Sequence, residues 1–383
     1  MTDTIEILDR LIGFNTVSAN SNLAIIDYIQ DFLTARGFAV HRVPDGTGEK
    51  AGIFAALGPS GPGGILLSAH TDVVPVEGQD WTRDPFRLTR DNGRLYGRGT
   101  TDMKGYVASV MALADRAAGR DLKEPLKIAF SYDEEIGVVG IKHMIGALDG
   151  TIGLPRACFV GEPTDMQVAV GHKGKAALRA TCFGQNGHSA LAPQFVNALH
   201  LATDFVAELR ALQQDFMING ARDAAYDIPY STVHVGKLSG GMALNIVPDK
   251  AVVDFEYRHL AADKAADILA RIQAAAEQVA TAHRSQFPDA RIEVDQYNAY
   301  PGLSVAGDAP VVSLAQRLAQ SNDVTKVPYG TEAGYFDGLG IPTVVCGPGS
   351  MEGQGHKPDE YLEQTQLAAC DAMMDRVLEE LVG

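Results

Sequence analysis

At 383 residues the chain exceeds the length at which a single hydrophobic core usually stops growing, so two structural units are expected. An apolar fraction of 46% is that of an ordinary globular protein and excludes long disordered tracts. The 48 acidic against 32 basic side chains, a formal charge of −16, exclude a broad nucleic-acid surface.

In chain order, residues 3–13 set Ile5, Leu8, Leu11 and Ile12 at helical spacing with acidic residues between them, which predicts a first helix rather than a signal peptide. Further helical periods lie at 22–36 and 103–118, and between them fall short apolar runs: GGILLSAH, LKIAFSYD and RACFVGE. Runs apolar at consecutive positions are strands covered on both faces, so the alternation predicts an α/β layer with a mixed, mostly parallel sheet flanked by helices. IPTVVCGPG at 341–349 predicts one more such strand.

Between about 175 and 295 the pattern changes to partly alternating strands (ALRATCFGQ, STVHVGKLS, KAVVDFEYR) with long helices at 196–216 and 263–282, an α+β texture. A catalytic domain built from 1–174 plus 296–383, interrupted by an inserted domain at 175–295, is the expected organisation; a continuous two-domain split is the alternative. Cys158, Cys182, Cys346 and Cys370 are scattered in apolar surroundings without a CxxC pair, which predicts buried free thiols and a reducing compartment, the cytoplasm. No run approaches the roughly 20 apolar residues of a membrane span.

The informative polar residues sit where the predicted strands end. His70 and Asp72 close the first run, Glu134 and Glu135 follow the second, and Glu162 ends the third. Ligand sites of open α/β sheets lie outside the carboxyl ends of the strands. Singly, each of these residues also reads as the polar start of a loop; together they are the imidazole and carboxylate set that divalent metals accept. Two neighbouring ions require a bridging carboxylate, and Asp102, in the glycine-rich GRGTTDMKG, is suited to it. Asp72 is two residues from His70, on the same side of an extended chain, and so can hold the other imidazole nitrogen; it also reads as a loop cap. Glu134-Glu135 offers one carboxylate to a metal and one to a proton, although an isolated acidic pair is commonly a solvated face. GRGTTD is one position short of GxGxxG, and neither GxSxG nor HExxH occurs, which disfavours nucleotide binding, serine hydrolysis and zincin chemistry.

Taken in order, SAHTDVVP, WTRDPF, GRGTTDMKG, SYDEEIG, GEPT, GQNGHSA and GHKPDEYL span almost 300 residues. The series resembles the M20 family of di-zinc amidohydrolases, in particular its acetylornithine deacetylase and succinyl-diaminopimelate desuccinylase branch. The resemblance implies that Asp102 bridges two ions, most often zinc with cobalt or manganese also accepted, that His70 and Glu162 complete one site, and that Glu135 and His356 complete the other. It implies Glu134 as general base, Asp72 as the partner of His70, and a cis peptide after Asp102. The insertion is implied to be a lid and dimerisation domain of a homodimer, with His188 reaching a neighbouring active site to stabilise the oxyanion. Asn245, Arg258 and the turn Gly330-Thr331-Glu332 are implied to bind the substrate, Arg258 its α-carboxylate and Glu332 a cationic side chain.

YGTEAGYF at 329–336 looks more like the deacetylases. The expected activity is therefore hydrolysis of N2-acetyl-L-ornithine to acetate and L-ornithine by a metal-bridged hydroxide. N-succinyl-diaminopimelate, N-acetylcitrulline or a dipeptide are alternative small-molecule substrates, and a non-catalytic metal-binding scaffold is the remote one. No nucleic acid or membrane partner is expected.

Overall fold

The computed structural model describes residues 3–18 and 20–383. The chain divides into two compact units. The first runs to Gly171 and resumes over Leu303–Val327 and Thr331–Gly383; the second is His172–Gly302 with Pro328–Gly330.

The first unit is built on a nine-stranded mixed sheet. Its centre reads, side by side, Leu126–Ser131, Ile65–His70, Ala157–Val160 and Thr343–Val345, all parallel to one another. Ala51–Leu57 and Ala39–Pro44 extend one edge in antiparallel fashion, and Val168–His172 adds antiparallel to Thr343–Val345 on the other. Ile65–His70 and Leu126–Ser131 are buried at every position, the mark of strands covered on both faces. Helix Gly105–Ala117 packs against Thr4–Ile12 and Gln364–Val382, and is buried at nearly every position because helices and sheet enclose it. The four cysteines are free and buried.

LKIAFS contains a charge. Lys127 is fully buried, and its Nζ donates to the carbonyls of Gly61 (2.9 Å), Gly153 (2.9 Å) and Leu154 (3.3 Å). A small antiparallel sheet orders Tyr361–Glu363, Arg94–Tyr96 and Thr89–Asp91. Pairing of Tyr96 with Tyr361 sets the GRGTTD turn beside the end of HKPDE.

The second unit carries a four-stranded antiparallel sheet in the order Thr232–Gly240, Lys250–His259, Gly174–Phe183, Arg291–Tyr300. Burial alternates along Gly174–Phe183 and Lys250–His259, so one face is packed and the other open. Helices Ala198–Asn219 and Ala265–His283 share the core of the packed face, where Phe205 meets Phe255 edge-on at 5.7 Å. Gly187–His188 pairs antiparallel with Ile246–Val247. Among the described residues no helix is long and apolar enough to cross a membrane.

Candidate metal centre

The parallel strands deliver their carboxyl ends to one edge of the first unit. His70 is the last residue of its strand, Glu162 follows Val160 by two, and Glu134 and Glu135 follow Ser131. Asp102 arrives from the GRGTTD turn, where Gly99 is left-handed (φ 86°) and a Cβ would meet Val73 at 2.7 Å, so only glycine fits. The Asp102–Met103 peptide is cis.

These side chains form two groups that share Asp102. His70, Asp102 and Glu162 make one, and Asp102, Glu135 and His356 the other, with candidate ligand atoms within 4.8 Å of one another in each. Asp102 divides its oxygens between them: Oδ1 lies 3.0 Å from His70 Nε2, and Oδ2 lies 3.1 Å from His356 Nε2. His356 Nε2 is also 3.1 Å from Glu135 Oε2, and His70 Nε2 is 3.8 Å from Glu162 Oε1. One carboxylate presenting one oxygen to each of two imidazole-carboxylate sets is the arrangement a bridged metal pair requires.

Two further observations test that fit. Glu162 Oε1 is buried with no hydrogen-bond partner among the described residues, an orphan acceptor that a cation satisfies. The donors are imidazole nitrogens and carboxylate oxygens without thiolate, a set suited to zinc and similar divalent ions. The residues fit the metal pair.

The electrostatics agree. Burial, then the charges of neighbouring carboxylates, holds the carboxyls of Glu134 and Glu162 well above the ordinary range, and burial with Asp102 raises Glu135 to about 7. Burial opposes a charged imidazole, yet the hydrogen bonds it donates to Asp102 and Glu135 outweigh that and lift His356 to about 10; those to Asp102 and Asp72 likewise lift His70. Burial would also raise Asp102, but His356 and His70 hold it below the usual carboxylate range. So much clustered negative charge calls for cations, and a bound divalent ion would reverse the upward shifts.

Asp72 does more than hold His70. Its Oδ1 is 3.4 Å from His70 Nδ1 and accepts the backbone N–H of Glu134 at 3.1 Å; its Oδ2 accepts Ser18 Oγ at 2.7 Å and the N–H of Glu135 at 3.2 Å. One carboxylate thus aligns a candidate ligand from each group and the intended base. The Glu134 carboxylate takes no hydrogen bond among the described residues.

His188 and Asn245 lie in the second unit, both exposed. The pairing of His188 with Ile246 and the bond from Ser189 N–H to the Asn245 carbonyl (3.1 Å) bring them together. His188 Nδ1 accepts the Ala190 N–H at 3.1 Å, which leaves the neutral ring's proton on Nε2. Arg258 lies within the strand Lys250–His259 and bonds Glu256 Oε1 at 3.0 Å. Gly330 packs where a Cβ would strike the Tyr300 ring, and Thr331 is fully buried. Glu332 is buried in the first unit, where it accepts hydrogen bonds from Ser68 Oγ (3.1 Å) and Ser131 Oγ.

Sequence reasoning overlooked Ser18, an unremarkable hydroxyl 54 residues from its partner Asp72, and Glu360, which is wholly buried behind the Asp102 turn. The sole clue to Glu360 was its place at the end of HKPDE.

Known proteins resemble this chain along nearly its whole length. The acetylornithine deacetylase of Shigella sonnei is 33% identical over 367 residues, covering 94% of this chain and 92% of that protein. Among solved structures, an M20 family metallo-carboxypeptidase from Sulfolobus solfataricus superposes with a TM-score of 0.78 at 17% identity, over 100% of this chain and 99% of that one. A dinuclear metal binding M20 peptidase of Bacillus subtilis does so with a TM-score of 0.67 at 18% identity, over 99% and 97%. At such identities these two structures establish the fold alone. The family model for peptidase family M20/M25/M40 matches residues 66–380, every candidate ligand included, and the chain therefore belongs to that family of hydrolases.

Proposed function

We propose that this chain hydrolyses N2-acetyl-L-ornithine to acetate and L-ornithine, with two divalent ions, zinc foremost, held by His70, Asp102, Glu135, Glu162 and His356. The observation that carries the metal reading is the division of the Asp102 oxygens between the two imidazoles. The substrate reading is supported by the relatives named acetylornithine deacetylase.

Ions bound there supply Lewis acidity, acidifying a water and polarising the acyl carbonyl. Glu134, whose N–H is fixed by Asp72 while its carboxylate stays uncommitted, accepts the water's proton as its oxygen adds to the carbonyl carbon. The same carboxylate then returns that proton to the amine nitrogen as the C–N bond breaks. His188, with its Nε2 proton free to donate, stabilises the carbonyl oxygen as it gains charge, and it does so from a second copy of the chain. Exposed Met242, Leu244 and Ile246, next to Asn245 and His188, together with the edge strand Thr232–Gly240, support dimerisation through this unit. In this reading 175–295 is the lid and 1–174 with 296–383 the catalytic domain. Arg258, Asn245 and the Gly330–Thr331 turn receive the substrate's α-carboxylate. The buried free thiols support a cytoplasmic setting.

The test is kcat/KM over a panel of N-acetylornithine, N-acetylcitrulline, N-succinyl-diaminopimelate and dipeptides with the metal-loaded protein. Preference for N-acetylornithine is the expected result. A loaded preparation that leaves it intact while turning over another member would refute the substrate assignment and favour the second reading, a deacylase or dipeptidase of the same family.

A further inference from the structure

Glu360 belongs to neither ligand group, yet it is 1% exposed. A carboxylate so placed needs its oxygens met by donors. Oε1 accepts three backbone N–H groups of the turn that carries Asp102: Gly99 at 3.1 Å, Thr101 at 3.0 Å and Asp102 itself at 3.2 Å. Oε2 accepts Arg98 Nη1 at 2.5 Å, and the Arg98 side chain is likewise 1% exposed. Arg98 Nη2 passes the connection to Gln79 Oε1 at 2.5 Å, and Gln79 Nε2 donates to the backbone carbonyl of His356 at 3.1 Å. The Trp81 ring lies under the Arg98 guanidinium at 5.0 Å, and its Nε1 also donates to Gln79 Oε1, at 3.0 Å.

The network therefore joins the two segments that meet at the second ligand group. Asp102 reaches it from the short π-helical turn Thr100–Lys104, where its own backbone is non-helical (φ −123°, ψ 95°), and His356 from the loop before Tyr361. A bridging carboxylate has little tolerance, because each oxygen must serve a different group and ligand geometry fails beyond about half an ångström. Three N–H groups held by one buried oxygen remove that freedom from the turn. The Arg98–Gln79 link sets the same restraint on the His356 backbone.

We propose that Glu360 is the positioning residue of the metal bridge: it holds the Gly99–Asp102 turn directly and ties it, through Arg98 and Gln79, to the loop of His356. The proposal rests on the two-metal reading. A role in stability alone would lower the melting temperature of the metal-free chain and leave the affinity of the folded protein for ions unchanged.

The test uses the full chain carrying Glu360→Gln, stripped of metal and titrated with Zn²⁺ against a chromogenic chelator. Melting of the stripped form is followed in parallel, with kcat and KM for N2-acetyl-L-ornithine. Gln retains one acceptor oxygen but loses the charge and must turn an amide NH2 on either Arg98 or the peptide N–H groups. We expect at least one ion to bind about 10- to 100-fold more weakly, with kcat falling by a similar factor, KM within about threefold, and kcat partly restored by excess Zn²⁺. A folded variant that binds both ions as tightly as the unaltered chain overturns the proposal. Should that variant not fold, Gln79→Ala decides, since it cuts the bond to the His356 carbonyl and leaves only the long 3.5 Å contact of Arg98 Nη1 with the Lys357 carbonyl between the Glu360–Arg98 pair and that loop: weaker Zn²⁺ binding supports the proposal and unaltered binding overturns its tie to the His356 loop. An unaltered chain that itself takes up fewer than two ions overturns the two-metal reading along with the proposal, and is recognised because the loss precedes any substitution.

Discussion

Replacing Asp72 by Asn removes a charge without changing shape, and the hydrogen bonds around it determine the cost. Oδ1 faces His70 Nδ1 and the Glu134 N–H; Oδ2 faces Ser18 Oγ and the Glu135 N–H. His70 Nδ1 also lies 3.0 Å from the Asp72 carbonyl, so it carries a proton and donates. The amide NH2 must take the Oδ2 place, because at the Oδ1 place it would meet two donors that cannot turn away. At Oδ2 the Ser18 hydroxyl can rotate and accept, but the Glu135 N–H cannot. One buried N–H is left without an acceptor, a cost of about 1–3 kcal/mol to the metal-free fold. The Glu135 peptide is then released, which displaces a ligand of the second group, and metal affinity or kcat is expected to fall about 10- to 100-fold. Chelator-competition titration, thermal melting of the stripped protein and steady-state kinetics measure the three quantities. Unchanged affinity and kcat in a variant that melts like the parent would show that Asp72 aligns nothing beyond His70.

Glu134→Ala should lower kcat by about 10²- to 10⁴-fold while two ions remain bound by elemental analysis; a rate within threefold of the parent removes Glu134 from the role of base. Lys127→Met should destabilise the fold by about 2–6 kcal/mol, because the Gly61 and Gly153 carbonyls lose their Lys127 donor at about 1–3 kcal/mol each. Denaturant unfolding is the assay, and a cost under about 1 kcal/mol would mean that water replaces the ammonium group. Burial depresses His172 to about 4, below the 6.5 of an unhindered imidazole. The unfolded chain therefore binds a proton before the folded one, and stability is lost as pH falls from 6.5 towards 4, by about 2 kcal/mol on reaching about pH 5. His172→Leu should lack that part of the acid limb, and parallel limbs for variant and parent would refute the assignment.

The fold was legible where burial dictated composition. ILLSAH, LKIAFS and ACFV read as doubly covered strands and form the parallel centre, and Lys127 did not spoil the reading because one buried ammonium group can be satisfied by loop carbonyls. Ala51–Leu57 escaped notice: its alanines carry little strand preference, and its place comes from pairing with the sequence-distant Leu126–Ser131. Arg291–Tyr300 was missed too, since an edge strand with one half-buried face shows few apolar positions.

The site follows a similar division. His70, Glu135 and Glu162 announce themselves because a strand end is both a structural boundary and the edge where α/β sheets bind ligands. Asp102 and His356 come from irregular backbone, and no periodicity marks a loop residue as turned inward. Only the resemblance to the M20 family singled out His356, which is 43% exposed and has a left-handed backbone (φ 60°). What brings these two residues together is a set of long-range polar bonds: the strand pairing of Tyr96 with Tyr361, the grip of Glu360 on the Gly99–Asp102 turn, and the bond from Gln79 to the His356 carbonyl. Such bonds depend on which buried donors meet which acceptors once the chain has folded, and residue types along a sequence do not encode that pairing locally. A metal centre read from sequence alone is therefore clearest in its strand-borne ligands and weakest in the groups that orient the others.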